Sequence, residues 1–304
     1  MLFYYVTFHN IRRVYLNCQC RKLSQRTIKN YTKQIGYLMN FLINEHQITN
    51  IEEVEPQHIK QFLMKIRQKG RTVNYFNDLL KVYKVFFRYA YDEGYTTTLL
   101  TEKIKNAKGD KVIIRTFSEQ EIKKMINYFQ GHDYLTIRNK VMLLMLIDTG
   151  IRLGELISLT EEQIKHDYII IKGKGAKERV VPKSPLLSKW LIKYLSVYKS
   201  YFQYRVIPNN IFLSKNAKPL SSAGIDKILK EEGKACDISI DVRMSAHTFR
   251  HTYAQFQLKN GLDIYSLSRL LGHESISITQ TYLNGLRDRE VLEQAQKTSP
   301  LMNL

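Results

Sequence analysis

Five short segments in the second half of the 304-residue chain carry side chains suited to work on a phosphate ester. Arg152 lies in Thr149-Gly150-Ile151-Arg152-Leu153-Gly154-Glu155-Leu156. Lys174 lies in Gly173-Lys174-Gly175-Ala176-Lys177-Glu178-Arg179. His247 and Arg250 share His247-Thr248-Phe249-Arg250-His251, and His273 follows Leu271-Gly272. Tyr282 comes nine residues after His273. Singly these are weak signals. An arginine after a glycine turn is usually a surface or ion-paired group, a Gly-Lys-Gly tip is usually a mobile turn, and Tyr282 is one tyrosine among 20.

Together they have a chemical logic. His247 and Arg250, three apart, share a helix face. Two arginines, two histidines and a lysine would surround a phosphate with charge and hydrogen-bond donors and stabilise a pentacovalent phosphoryl transition state. Arginine suits the task because its planar fork grips two oxygens and stays ionised. A tyrosine hydroxyl beside such a cage can act as nucleophile. His247 and His251 also have zinc-ligand spacing, but residue 248 is Thr where H-E-x-x-H needs Glu, and no third ligand stands at the expected distance. No acidic cluster of the two-metal kind accompanies the set, so neither a metal nor a cofactor is expected.

These residues need elements to position them. Asn139–Asp148 reads as a buried helix ended by Gly150, and residues 154–159 as part of a short helix after it. Tyr168–Ile171 and Arg179–Val181 read as the strands of a hairpin whose basic tip carries Lys174. Ile211–Leu213 reads as a further strand. From Ser222 onward the pattern is helical, with breaks near Cys236–Arg243, at Gly261 and at Gly272. The first hundred residues also read as helical. Ser24 would cap a helix through Ile28, Tyr31, Ile35, Leu38 and Phe41–Leu42. A second would run from Pro56 to Gly70. A third would run from Thr72 to Glu93, with Val73, Phe76, Leu80, Tyr83, Phe87 and Tyr91 as its apolar stripe and Gly94 as its stop. Residues 101–116 are polar and basic without helical period. Ser118 with Glu121 forms a capping box that opens the next helix. The expected architecture is mainly α with a small β-sheet: a helical domain over 1–108, a linker over 109–117 and a mixed α/β domain over 118–304.

Charge points to the partner. Lys and Arg number 47 against 28 Asp and Glu, a net charge of +19. Residues 1–110 carry 18 basic and 9 acidic side chains, and the rest carries 29 and 19, so the excess is not a basic tail. Two basic domains facing one polyanion is the simplest reading, with a generic basic surface as the bland alternative. Cys18, Cys20 and Cys236 cannot form a disulfide framework and read as reduced thiols. The longest aliphatic run, Val141 to Ile147, is far below a membrane span, and the apolar start lacks a signal peptide's leading positive charge. A cytoplasmic protein without membrane contact is expected.

The five motifs, in this order, strongly resemble those of the tyrosine recombinase (phage integrase) family. The resemblance covers residues 149–284, and the Ser24–Tyr31 segment resembles part of the family's core-binding domain. The length is similar to short, Xer-like members. The resemblance implies a site-specific DNA recombinase, independent of metal and ATP. Arg152 and Arg250 would clamp the scissile phosphate, and His247 and His273 would donate hydrogen bonds to its oxygens. Lys174 would protonate the leaving 5′-oxygen, and Tyr282 would attack to form a 3′-phosphotyrosine. Lys172 and Lys177 compete with Lys174 for the acid's place. Glu155 would orient basic side chains, and His251 falls outside the motif set as a structural residue. The implied partner is double-stranded DNA with paired half-sites, bound by four subunits on two sites. An amphipathic tail at Arg287–Lys297 would either dock on a neighbour or fold back on its own domain. A catalytically inactive DNA-binding protein on the same fold, and a type IB topoisomerase-like enzyme, stay open as alternatives. So does the choice between mobile-element integrase and chromosome-dimer resolvase.

Overall fold

The structure is a computed structural model, and it describes residues 23–109, 115–173 and 177–282. The chain divides into two compact units, Met1–Lys111 and Val112–Leu304.

Among its described residues, the first unit has three α-helices. Helix α1 (Gln25–His46) starts where Ser24 Oγ accepts the Thr27 N–H at 3.2 Å. Helix α2 (Pro56–Gln68) places Pro56 in its first turn, where no N–H is needed. Helix α3 (Val73–Asp92) is capped by Thr72. Gly70 and Gly94 both take positive φ just past the ends of α2 and α3, the conformation that glycine alone adopts cheaply. The three helices close over Ile28, Leu38, Ile59, Leu63, Leu80, Tyr83 and Phe87. The apolar face of α3 is centred on Leu79, Leu80, Val82, Tyr83, Phe86 and Phe87. Tyr91, expected in that stripe, is 41% exposed. The buried set runs from Leu79 to Ala90, and Tyr91 turns partly to solvent in the last turn.

The second unit carries the motifs. Helix α4 (Glu119–Tyr128) opens on the expected capping box, with the Ser118 N–H donating to Glu121 Oε2 at 2.8 Å and the Glu121 N–H to Ser118 Oγ at 3.3 Å. Helix α5 (Tyr134–Thr149) starts earlier than expected because Asp133 caps it. It is buried on nearly all sides and packs against two later helices. It ends at Gly150, whose φ is +57. Helix α6 (Leu153–Ile157) follows at once. Strands β1 (Tyr168–Lys172) and β2 (Glu178–Pro182) form an antiparallel hairpin, with Ile170 opposite Val180 and Lys172 opposite Glu178. Ile211–Leu213 is not a strand. The segment makes only isolated bridges, Asn210 to Thr160 just before the run and Leu213 to Pro219 within it, while the three side chains are buried in the core. The apolar run therefore reflects burial more than strand pairing.

Helix α7 (Pro185–Phe202) stands outside the sequence expectations, although Ser184 caps it and Leu187, Leu191, Tyr194, Tyr198 and Phe202 line its buried face. Helices α8 (Ser222–Ala235), α9 (Ala246–Lys259), α10 (Ile264–Leu271) and α11 (Ile276–Gln280) complete the unit, with breaks where the sequence placed them. Helices α5, α7 and α9 frame the core. A smaller cluster of Tyr253, Leu258, Leu267, Leu271 and Tyr282 joins α9, α10 and the segment after α11. Cys236 is buried and free. Among the described residues, no helix is long and apolar enough to cross a membrane.

Candidate phosphoryl-transfer site

The site is organised around the C-terminal end of α10. The last carbonyls of a helix have no partners within it and carry the negative end of its dipole. Here three successive carbonyls each receive an arginine. Arg179 Nε donates to Leu270 O at 2.7 Å, Arg250 Nη2 to Leu271 O at 2.6 Å and Arg152 Nη2 to Gly272 O at 3.1 Å. These arginines come from β2, from α9 and from the residue that opens α6. One turn thus gathers three cations that repulsion would otherwise separate.

Gly272 makes that turn possible. Its φ is +64, and a Cβ there would lie 2.9 Å from Arg179 Cδ. Gly150 has a matching role. Its carbonyl accepts Arg250 Nη1 at 2.8 Å, and a Cβ on it would collide with the Tyr253 ring. Arg250 is 5% exposed and bonded on both sides. Burial, then the Arg152 charge, pushes its pKa down to about 10, so it stays ionised at neutral pH. The Arg152 side chain is 43% exposed.

Glu155 is the one buried carboxylate of the group. It accepts the Arg152 backbone N–H at 2.9 Å and Arg152 Nη1 at 3.0 Å. Its two oxygens also take Arg179 Nη1 and Nη2 at 2.8 and 2.7 Å. Burial opposes its ionisation, but the Arg179 bonds outweigh it and hold the carboxyl below its usual range. This is the orienting place the sequence suggested for Glu155. Arg179 itself was visible only as the last letter of the Lys174 motif.

His273 accepts from Arg250 Nη2 at 3.0 Å through Nε2, while its Nδ1 meets Thr279 Oγ1 at 2.8 Å. Its ring lies nearly parallel to that of Tyr282, at 16° with centroids 6.0 Å apart. Tyr282 is 4% exposed. His251 packs edge-on against the same tyrosine, with centroids 4.8 Å apart. His251 Nε2 also meets His247 Nε2 at 2.8 Å. His251, expected to be structural, lies between His247 and Tyr282. Burial lowers the pKa of all three imidazoles, followed by the Arg250 charge for His247 and His273 and by His247 for His251. For His251 and His273 the values fall to about 4.

Arg152, Arg250, His273 and Tyr282 are therefore one cluster, with His247 joined through His251. Lys174 lies outside the described residues. Of its rivals, Lys172 is exposed at the end of β1, and Lys177 donates to Glu274 Oε1 at 3.2 Å. That contact ties the base of the hairpin tip to the turn holding His273. Among the described residues, no group of three or more His, Cys, Asp or Glu could hold a metal ion.

The cluster is equipped to bind an anion between fixed cations with a phenol alongside. Comparisons with known proteins supply the family. Residues 115–288 match the phage integrase family, and residues 11–97 match the phage integrase N-terminal SAM-like domain. The tyrosine recombinase XerD of Halalkalibacterium halodurans is 28% identical over 271 residues, 88% of this chain and 90% of that protein. XerD of Staphylococcus aureus strain N315 is 28% identical over 262 residues, 86% and 88% of the two chains. Among solved structures, the XerH site-specific recombinase bound to its palindromic difH substrate has a TM-score of 0.76 at 18% identity, covering 91% of this chain and 81% of that one. A lambda integrase dimer bound to a core site has a TM-score of 0.72 at 20% identity, covering 93% and 96%. The chain belongs to the phage integrase family, the tyrosine recombinases, which cut and rejoin DNA strands through a covalent link to a tyrosine without metal or ATP.

Proposed function

We propose that this protein recombines double-stranded DNA at a specific site, with Tyr282 as nucleophile. The observation that carries the reading is the convergence of Arg152, Arg250 and His273 on one helix end beside Tyr282. The Tyr282 oxygen bonds to the phosphorus, and the bond from phosphorus to the 5′-oxygen breaks. The phenol proton leaves to solvent or a neighbouring base, and Lys174 supplies a proton to the 5′-oxygen. Arg152 and Arg250 hold the non-bridging oxygens, where charge grows in the transition state. His247 and His273 add hydrogen bonds there. A 5′-hydroxyl, from the same or a second duplex, reverses the step and restores the phosphodiester. The phosphotyrosine conserves the bond energy.

The wider assembly follows the family. Four subunits on two DNA sites, each site made of paired half-sites, would place one tyrosine at each strand. The segment after Tyr282, including the stretch 287–297 expected to dock on a neighbour or fold back on its own domain, lies outside the described residues. The net charge of +19 supports a polyanionic partner contacted by both units, and action on DNA accords with the cytoplasmic location expected from the sequence. DNA selected by binding from a random pool would supply the substrate. Nicked suicide duplexes of that sequence should trap a covalent protein–DNA adduct in the presence of EDTA. An adduct that needs Mg²⁺ or Zn²⁺ would contradict the reading, and exchange between two selected duplexes separates recombination from simple relaxation.

A further inference from the structure

The Lys174 motif ends in an arginine that the mechanism above does not use. Arg179 lies on β2 with its side chain 10% exposed. A buried guanidinium is costly unless its N–H groups are met. Arg179 meets them entirely within the site: both oxygens of Glu155, at 2.8 and 2.7 Å, and the Leu270 carbonyl, at 2.7 Å. Glu155 in turn takes the Arg152 backbone N–H and Nη1. The Leu270 carbonyl directly precedes the two that receive Arg250 and Arg152. The absence of a Cβ at Gly272 leaves room for Arg179 to pass.

Arg179 therefore bonds the carboxylate that holds Arg152 and the carbonyl next to the two that hold Arg250 and Arg152. It joins the first turn of α6, the end of α10 and the strand returning from the Lys174 hairpin. A two-pronged grip on Glu155 fixes that carboxylate in rotation as well as position, which a single bond could not do. Glu155 so held fixes where Arg152 points.

We propose that Arg179 is a positioning residue for strand cleavage, acting through Glu155 to set Arg152 against the turn that presents His273. The proposal rests on the recombinase reading above. Small displacements of a preorganised group cost up to about 100-fold in rate. Losing the grip should thus slow the chemical step while phosphate contacts elsewhere hold the DNA.

The test is single-turnover adduct formation on the suicide duplex at saturating protein, with duplex affinity and melting temperature measured in parallel. Arg179→Gln should bind the duplex with near wild-type affinity and cleave about 10- to 100-fold more slowly. Arg179→Lys keeps the charge but loses the planar fork, so it should fold and still cleave more slowly than wild type. The double variant Glu155→Gln/Arg179→Gln should cleave no slower than the slower single variant, because both act through one contact. If Arg179→Gln fails to fold, Arg179→Lys decides. A folded Arg179 variant that cleaves at the wild-type rate overturns the proposal, as do losses that multiply in the double variant. A wild-type protein that forms no adduct would instead overturn the recombinase reading.

Discussion

Arg250 and His273 are hydrogen-bonded at 3.0 Å, and that bond fixes the proton on the imidazole. Arginine can only donate, so His273 Nε2 accepts, and the ring proton sits on Nδ1 facing Thr279 Oγ1 at 2.8 Å. In this state His273 is neutral and cannot offer Nε2–H to a phosphate. For His273 to donate through Nε2 to an arriving phosphate, Arg250 must leave the ring and the imidazole must take up a proton from solvent. The anion favours both, because it draws the guanidinium and raises the pKa of a nearby imidazole.

This predicts the pH behaviour of the free protein. The His273 pKa lies near 4, below the ordinary value of 6.5, through burial and then the Arg250 charge. A folded-state value below the unfolded one stabilises fully above about pH 6.5, and that contribution is lost as pH falls towards 4. The melting temperature should fall across that window, and His273→Gln should lessen the fall. NMR titration should place the His273 ring near 4 in free protein and higher with DNA bound. A ring titrating near 6.5 in the free protein would contradict the Arg250 bond.

Glu232 predicts the opposite slope at higher pH. It is 2% exposed on α8, and neither carboxylate oxygen has a hydrogen-bond partner. Burial alone raises its pKa to about 8. A folded-state value above the unfolded 4.5 stabilises below that pH, and the contribution is lost as pH rises to 8. Glu232→Leu should raise stability at pH 8 by about 1–3 kcal/mol, the usual cost of an unsatisfied buried polar group. Denaturant unfolding at pH 5 and pH 8 checks this, and equal gains at both would refute it.

The two motif glycines should differ in their tolerance of a methyl group. Gly150→Ala combines a left-handed φ of +57 with a clash against the Tyr253 ring inside the core. Strain of roughly 1–2 kcal/mol plus overpacking of about 1–3 kcal/mol should add. Gly272→Ala carries similar strain but meets a side chain, Arg179, that can shift. It should unfold the protein less and impair cleavage more than its stability loss accounts for. Urea midpoints together with cleavage rates separate the two effects.

Arg152→Ala and Arg250→Ala should each slow single-turnover cleavage by about 100-fold or more, the scale of losing one preorganised donor to a transition state. Arg250→Ala should also destabilise, since it leaves the Gly150 and Leu271 carbonyls without their donor. Arg152→Ala, half-exposed at the start of α6, should fold nearly as well as wild type. Unchanged cleavage at saturating protein would reduce both to ordinary phosphate contacts.

The site was legible in sequence where chemistry restricts residue type. Arg152, His247, Arg250, His273 and Tyr282 stood out by residue type and spacing, and the helix breaks at Gly150, Gly261 and Gly272 carry local backbone signals. Arg179 was not legible as buried. Its burial is set by Glu155, 24 residues earlier, and by Leu270, 91 residues later, neither of which leaves a local pattern. His251 was hidden for the same reason, because its contact with Tyr282 is made only once α9 and the segment after α11 meet. Ile211–Leu213 misled because buried aliphatic and aromatic residues look alike in a strand and in a core loop. Helix α7 had clear signals, a Ser184-Pro185 start and apolar spacings of three and four, so nothing physical obscured it.

The central claim is that Tyr282 carries the cleaved strand. The direct measurement is mass spectrometry of the adduct trapped on a suicide duplex, after protease and nuclease digestion, with Tyr282→Phe as control. A nucleotide joined through its 3′-phosphate to the peptide containing Tyr282 is expected. Tyr282→Phe should form no adduct yet still bind the duplex, because affinity rests on phosphate contacts elsewhere. A phosphonucleotide on any other residue, or an adduct from Tyr282→Phe, would remove Tyr282 from the reaction.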